Sequence, residues 1–309
     1  LSADLRYVKV LEGSNPTAVW FTERGNDRLG KLVYTSTQDY EYHAYTVPAG
    51  SDPLNLVLDG GFVWFTAPGR NAIGRMNPTT QATDLFTVET SASGPAGLDV
   101  SSDGNVWFTE RDADQIAHLV VTSTVDYRID EYQHPFIEGG RPYGIDVIER
   151  AGTNPVEVVF FSQPANSKIT RFTPEEDQWL EISGSLIEQP FDLVAESVFK
   201  AWSTDRSGNS INLFTYDTRF LAFRFGVQPS NSDPHSLLLG AEGDIWFTQH
   251  RAGQLGRLGT DQPDSDRSYF ALPMNGLTPT GIAEGGSDDL WILANYPYRL
   301  FLPFVSRNY

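Results

Sequence analysis

Cysteine is missing from all 309 residues. Its absence excludes a disulfide framework, a thiolate nucleophile and a cysteine-ligated zinc site, and it fits a reducing or an oxidising compartment equally well. Basic residues are scarce: 22 Lys and Arg stand against 40 Asp and Glu, for a net charge of −18. A field of that sign repels phosphate backbones, so nucleic acid is not an expected partner. No run of eighteen apolar residues occurs, so no membrane span is expected. Gly-x-Ser-x-Gly, a Walker-type loop, His-Glu-x-x-His and a twelve-residue calcium loop are all absent. The chain opens on Leu1 rather than methionine, which reads as a processed or trimmed chain from which a signal peptide could have been cut. What remains is 40% hydrophobic and 13% aromatic with 27 glycines, a composition suited to an all-β protein of short strands and many turns.

A length of 309 residues allows two domains, but a repeat of constant period favours one closed body. Six tryptophans, Trp20, Trp64, Trp107, Trp202, Trp246 and Trp291, each open a short apolar triplet, and Phe160 fills the one wide gap. The spacings are 44, 43, 53, 42, 44 and 45, and nine residues after each anchor stands an aliphatic residue: Leu29, Ile73, Ile116, Ile169, Ile211, Leu255 and Leu300. The text recurs as Val-Trp-Phe-Thr-Glu at 19–23 and 106–110, Val-Trp-Phe-Thr-Ala at 63–67 and Ile-Trp-Phe-Thr-Gln at 245–249. Its alternation has the period of a strand. A proline precedes the anchor by eleven or twelve residues at Pro53, Pro95, Pro190, Pro234 and Pro279, followed by an apolar run. A Gly-Lys/Arg-Leu segment and a fourth strand follow.

Four antiparallel strands per unit, A to D, repeated seven times, predict a single seven-bladed β-propeller over residues 1–309. The anchors are then packing residues between blades. The wide fourth repeat, with Pro142 eighteen residues before Phe160, predicts a long A–B hairpin loop over 149–155. Strand A of the first blade falls near Tyr7–Leu11. The last blade must take its outer strand from Phe301–Asn308 or stay short.

Strand A lies innermost and strand B runs antiparallel to it, so the start of A and the end of B meet at one end of the ring. The residues after the strand-A prolines, Leu54, Ala96, Tyr143, Phe191, His235 and Thr280, then surround the channel mouth. Three residues past each anchor stand Glu23, Ala67, Glu110, Gln163, Asp205, Gln249 and Ala294, followed by Arg24, Pro68, Arg111, Pro164, Arg206, His250 and Asn295. Interleaved carboxylates and arginines predict either mutually neutralised ion pairs or a polar cup for a ligand with carbonyl and charged groups. Candidate ligand contacts are Tyr143, Phe191, Asp233, Glu23, Glu110, Arg111, Asp205, Arg206 and Gln249. In the sixth repeat Asp233, His235, Gln249 and His250 converge, so that His235 and His250 are the candidate catalytic or ion-binding groups. Asp264-Ser265-Asp266 and Asp288-Asp289 read as hydrated turns.

The repeat Val-Trp-Phe-Thr-Glu, followed by Asn/Asp-x-Ile/Leu-Gly-Lys/Arg-Leu and preceded by Pro-x-Gly-Ile, strongly resembles the blades of the virginiamycin B lyases, the streptogramin B-linearising enzymes. The resemblance implies a seven-bladed propeller and a magnesium-assisted elimination that opens the ester of a cyclic depsipeptide. It also implies Pro-His in the sixth blade, Glu-Pro-His in the seventh, and a Glu four residues beyond the seventh Trp. Pro234-His235 matches the first. Thr278-Pro279-Thr280 and Asn295 stand where the second histidine and both acids belong. Rotating the pattern back one blade onto Asp233-Pro234-His235 and His250 would need a histidine where Phe191 stands.

These residues predict a non-lyase binding propeller that recognises a small molecule, peptide or glycan at the mouth. Alternatives are a divergent metal-assisted lyase or lactone-type hydrolase with His235 as base, and a structural protein-interaction scaffold. No cofactor is fixed by the residues, and a divalent cation, Mg or Ca, at the channel mouth is a candidate. A monomer is expected. The ending 301–308 is similar to tails of exported bacterial proteins and leans the location to extracellular or periplasmic, with the cytoplasm left open.

Overall fold

The computed structural model describes residues 4–11, 17–36, 39–123, 126–133, 139–152, 156–216, 220–273, 276–285, 290–295 and 300–304. They form antiparallel sheets arranged as a β-propeller. Six sheets, over residues 4–46, 56–87, 95–132, 145–183, 190–226 and 234–271, have four strands each in simple A-B-C-D order. A further sheet over residues 278–304 has three. The expectation of four strands in every repeat is therefore corrected: six blades are complete, and the last repeat has three strands among the described residues. Its third strand is Leu300–Phe304, and 305–308 of the predicted outer strand lie outside the described residues.

The innermost strands are Asp4–Leu11, Leu56–Asp59, Pro95–Val100, Ile145–Arg150, Pro190–Ser197, Pro234–Leu239 and Thr278–Glu284. The Thr278–Glu284 strand packs against both Pro234–Leu239 and Asp4–Leu11, so the three-stranded sheet stands between the last complete blade and the first. In the fourth sheet the A–B hairpin pairs out to Arg150 opposite Val156. Glu149, Arg150 and Val156 are thus strand, and of the predicted loop 153–155 lie outside the described residues.

Each anchor is buried and packs on the following sheet. Trp20 of the first sheet lies with Leu56, Val63 and Phe65 of the second, Trp202 with Ile245 and Phe247, and Trp246 with Leu290 and Ile292. Trp291 completes the circuit against Val19 and Phe21. Apolar faces that one blade leaves open are covered by the next. The glycine of the Gly-Lys/Arg-Leu segment has its own steric cause. A Cβ on Gly30, Gly74 or Gly256 would stand 2.1 Å from the ring of Phe21, Phe65 or Phe247, the aromatic next to the anchor on the neighbouring strand.

The hydroxyl two residues past the anchor explains the Thr of the repeat. In the first five sheets it accepts a backbone N–H of its own strand A and donates to a carbonyl at the start of the next strand A, whereas Thr248 of the sixth donates back to Ser236 O at 3.5 Å. Thr66 Oγ1 accepts from Asn55 N and donates to Ala96 O, both at 3.0 Å. Thr109 Oγ1 joins Gly97 N (2.8 Å) to Tyr143 O (3.0 Å), and Ser162 Oγ joins Gly144 N (2.9 Å) to Phe191 O (2.6 Å). Thr204 Oγ1 joins Asp192 N (3.0 Å) to His235 O (3.1 Å). Thr22 Oγ1 donates likewise to Leu54 O at 3.0 Å.

The last sheet has Leu293 at this position, and a substitute closes the ring. Thr280 Oγ1 donates to Leu5 O at 3.0 Å. Asn295 clamps the same residue at both ends: its Nδ2 donates to Leu5 O and its Oδ1 accepts from Leu5 N, each at 3.1 Å. The register of this sheet also slips. In the complete blades the residue nine after the anchor sits opposite the hydroxyl residue, as Leu29 opposite Thr22 and Leu255 opposite Thr248. Here Phe301, not Leu300, stands opposite Leu293. The sequence offset of nine holds at Leu300 by letter but not by position.

Replacing Thr204 by Val should leave Asp192 N and His235 O without their buried partner and destabilise the fold by about 1–3 kcal/mol. Thr204→Ser, which keeps both bonds, should stay close to the parent. Equilibrium urea denaturation of the two variants provides the comparison, and equal midpoints would show that the hydroxyl carries no such weight.

Candidate functional site

At the end of the ring where strands A begin, four rings line up from neighbouring blades. Tyr143 stacks on Phe191 at 4.1 Å between centroids, Phe191 meets His235 at 4.8 Å, and His235 meets His250 at 5.6 Å. Their order follows from the stitches above, since Thr109, Ser162 and Thr204 hold the carbonyls of Tyr143, Phe191 and His235. The Arg206 guanidinium lies over Phe191, 4.7 Å from its centroid.

His235 is buried, 5% exposed, and its Nδ1 has no hydrogen-bond partner among the described residues. Burial, together with the Arg206 and His250 charges, pushes its imidazole down to about 3, so it is neutral at physiological pH. Asp233, before Pro234, has a left-handed backbone (φ 59°) and a buried carboxylate. It accepts a bidentate pair from Arg206 at 2.6 and 3.0 Å, and His250 Nδ1 lies 3.3 Å away. Burial alone would push the Asp233 carboxyl up. The bonds and charges of His250 and Arg206 outweigh it and hold the group well below the usual carboxylate range.

Arg206 and Asp233 belong to successive blades, and the arrangement recurs. Arg24 presents the same guanidinium edge to Asp52, the residue before Pro53 of the next blade, with Nε and Nη2 both on Oδ2 at 2.8–2.9 Å. Arg111 pairs with Asp112, which also takes Arg141 at the corresponding place before Pro142. The arginines of the rim thus bond to aspartates rather than to the carboxylates beside them in the repeat text.

Those carboxylates and amides lie elsewhere. Glu23, Glu110, Asp205 and Gln249 are fully buried inside their own blades, a correction to the expectation that they line an open cup. Glu23 is paired with Arg28 at 2.7 Å. Asp205 accepts Glu188 N, Gln189 N, Gly208 N and Asn212 Nδ2. Gln249 donates to Gln228 O and Ser232 Oγ. Glu110 accepts from Gln115 at 3.0 Å while its Oε1 has no hydrogen-bond partner among the described residues, and burial with the Glu131 charge pushes its carboxyl up to about 7. The physical reason is common to all: the side chain at the end of strand B satisfies the loop and strand C beside it. What the sequence-predicted set brings together is Tyr143, Phe191, Arg206, Asp233, His235 and His250, with Arg111 acting on Tyr143 from the third blade.

Four further residues escaped the reading of repeats. Tyr7 of the first blade donates its hydroxyl to that of Tyr143 from the opposite side of the ring, and burial raises both phenols. Below this bridge lies a cavity of about 120 Å³ that includes Asp99, Asp146 and Asp192 in its wall. These carboxylates also tie blades together: Asp99 accepts Val147 N at 2.9 Å, Asp146 accepts Ala195 N at 2.6 Å, and Asp192 accepts Leu237 N at 3.1 Å. Burial and the Asp99 charge hold the Asp146 carboxyl well above its ordinary value, and burial pushes Asp192 up to about 6. The signal available in sequence was a lone acidic residue inside each apolar inner strand.

A metal at the mouth does not fit these residues. Among the described residues no group of three His, Asp or Glu is arranged to hold one. The Asp233 oxygens face Arg206 and His250, and Thr280 and Asn295 are bonded to Leu5.

The model of the Virginiamycin B lyase family matches residues 7–184. The chain belongs to the virginiamycin B lyase family. A curated relative, virginiamycin B lyase of Nocardia farcinica, is 29% identical over 106 residues, a stretch that spans 34% of this chain and 35% of the relative. Among solved structures, a streptogramin B lyase superposes with a TM-score of 0.78 at 23% identity, covering 94% of this chain and 90% of the other. A catalytically inactive histidine-to-alanine variant of virginiamycin B lyase from Staphylococcus aureus, solved with quinupristin, gives 0.76 at 23% identity, with 95% and 94% covered. At that identity the superpositions show the fold. Among the described residues no helix is long and apolar enough to cross a membrane.

Glu110 gives the blade interior a measurable pH response. Its carboxyl holds an extra proton in the folded state between the ordinary value of 4.5 and about 7, so the stability it contributes falls as pH rises through that window. Glu110→Gln should remove this loss and stabilise the protein by about 1–3 kcal/mol at pH 8, with little gain at pH 4, at roughly 1.4 kcal/mol per unit. Denaturation at the two pH values checks it; a gain of equal size at both would disprove the buried proton.

Proposed function

We propose that this propeller is a non-lyase binding protein, built as one seven-bladed ring with the three-stranded sheet as its short seventh blade. Its ligand, a small molecule, peptide or glycan, sits at the mouth on Tyr143, Phe191, His235 and His250. The observation that carries the proposal is the use made of Thr280 and Asn295. The family pattern has a histidine and an acid at these positions, and here they bond the backbone of Leu5 and close the ring. Elimination next to a carbonyl needs a base matched to the proton it removes and a group that stabilises the enolate. Thr280 supplies no base near neutrality, Asn295 no negative charge, and an imidazole held at about 3 is a weak acceptor. His235 is instead a neutral, buried group with an unused ring nitrogen, suited to a hydrogen bond from or to a bound polar group. That same nitrogen is what favours the second reading, a lyase or lactone-type hydrolase with His235 as base.

Incubation with quinupristin and magnesium, followed by mass spectrometry, should show no linear product above background; ready ring opening would refute the non-lyase reading. Calorimetric titration of the same compound into parent and His235→Ala should separate binding from chemistry. A lost neutral hydrogen bond weakens affinity by about 0.5–1.5 kcal/mol. A lost general base would instead remove about two to four orders of magnitude of turnover with affinity nearly unchanged.

A further inference from the structure

The mouth carries more hydrogen-bond donors than acceptors, and the imbalance is visible residue by residue. Arg6, Arg24, Arg111 and Arg206 each use one edge of the guanidinium, Nε with Nη2, on a single aspartate: Asp4, Asp52, Asp112 and Asp233. The Nη1 group of each has no bonded partner among the described residues. All four side chains are 28–33% exposed, held in place yet open to solvent on one side. Arg206 lies over Phe191, 4.7 Å from its centroid, and Arg24, Arg111 and Arg206 each stand at the end of a strand B at the same end of the ring, where the charges of Arg6 and Arg111 are felt at the Tyr143 hydroxyl.

The acceptors here are already engaged. Asp233 faces Arg206, His250 and Arg251, Asp112 takes Arg111 and Arg141, and Asp52 takes Arg24 and Gly25 N. A guanidinium has five donors in a planar fork and no acceptor, so the half that each retains is matched by oxygen ligands. The rings supply the other half of the recognition. Tyr143 and Phe191 are each half-buried; Phe191 already carries Tyr143 and the Arg206 guanidinium, so the ring a flat ligand can meet is Tyr143, with the unpartnered Nδ1 of buried His235 beside Phe191.

We propose that the mouth accepts a flat aromatic molecule bearing one or more carboxylates, its ring against Tyr143 and its carboxylate oxygens on the free guanidinium edges of Arg6, Arg24, Arg111 and Arg206. This rests on the reading of the mouth as a binding site and narrows its ligand class. A chain of net charge −18 attracts no anion by its long-range field, so recognition depends on these short contacts and on the ring surface together.

Isothermal titration of the full chain with benzene-1,3,5-tricarboxylate, benzoate, benzamide and the non-aromatic propane-1,2,3-tricarboxylate tests it. The aromatic tricarboxylate should bind at least tenfold tighter than benzamide and than the non-aromatic acid, and at least threefold more weakly when salt rises from 50 to 300 mM. Arg6→Gln and Arg111→Gln should each weaken it about three- to tenfold with little change in melting temperature, since Asp4 and Asp112 remain solvated. Arg206→Gln is avoided because it strands buried Asp233. Benzamide binding as well as the carboxylates, indifference to both arginine changes, or no binding of any aromatic acid would overturn the proposal. If quinupristin still binds in a His235-dependent way while the acids do not, only this narrower inference falls.

Discussion

One hydroxyl in each of the first five blades carries the geometry of the ring. Placed two residues after the anchor, it takes an N–H from its own inner strand and gives its proton to a carbonyl at the start of the next. An unpaired buried amide or carbonyl costs more than a paired one gains, so the angle between neighbouring blades is fixed at these five steps. The carbonyls so held belong to Tyr143, Phe191 and His235, the residues whose rings make the mouth. The scaffold bond and the site are therefore a single arrangement seen from two sides of the same peptide unit.

Most of the scaffold was legible because repetition amplifies a weak local signal. The anchors, the strand-A prolines and the alternation of Trp-Phe-Thr located inner strands and their packing faces, and the convergence of Asp233, His235 and His250 followed from antiparallel pairing. Three things were not legible. The direction of Glu23, Glu110, Asp205 and Gln249 depends on whether the local loop offers them partners, and it does, so polar residues drawn as a rim are interior bonds. Contacts across the channel, such as Tyr7 with Tyr143, join residues more than a hundred positions apart that no periodic pattern relates. The slipped register of the last sheet was hidden for a similar reason: the partners Ala294 and Leu300 stand one residue further apart in the chain than Gln249 and Gln254, and the letters still match.

The closing seam shows how sequence divergence and architecture constrain one another. With Leu293 where a hydroxyl stands in the complete blades, the last sheet cannot use the common stitch, and Thr280 with Asn295 takes over by gripping Leu5. Those side chains are then committed to backbone contacts.

Tyr7 and Tyr143 meet across the axis and join the first blade to the fourth, with the small carboxylate-walled space beside them. Blades that share neither a sheet nor a seam are thereby coupled through two side chains, so a change at either phenol is felt on both sides of the ring.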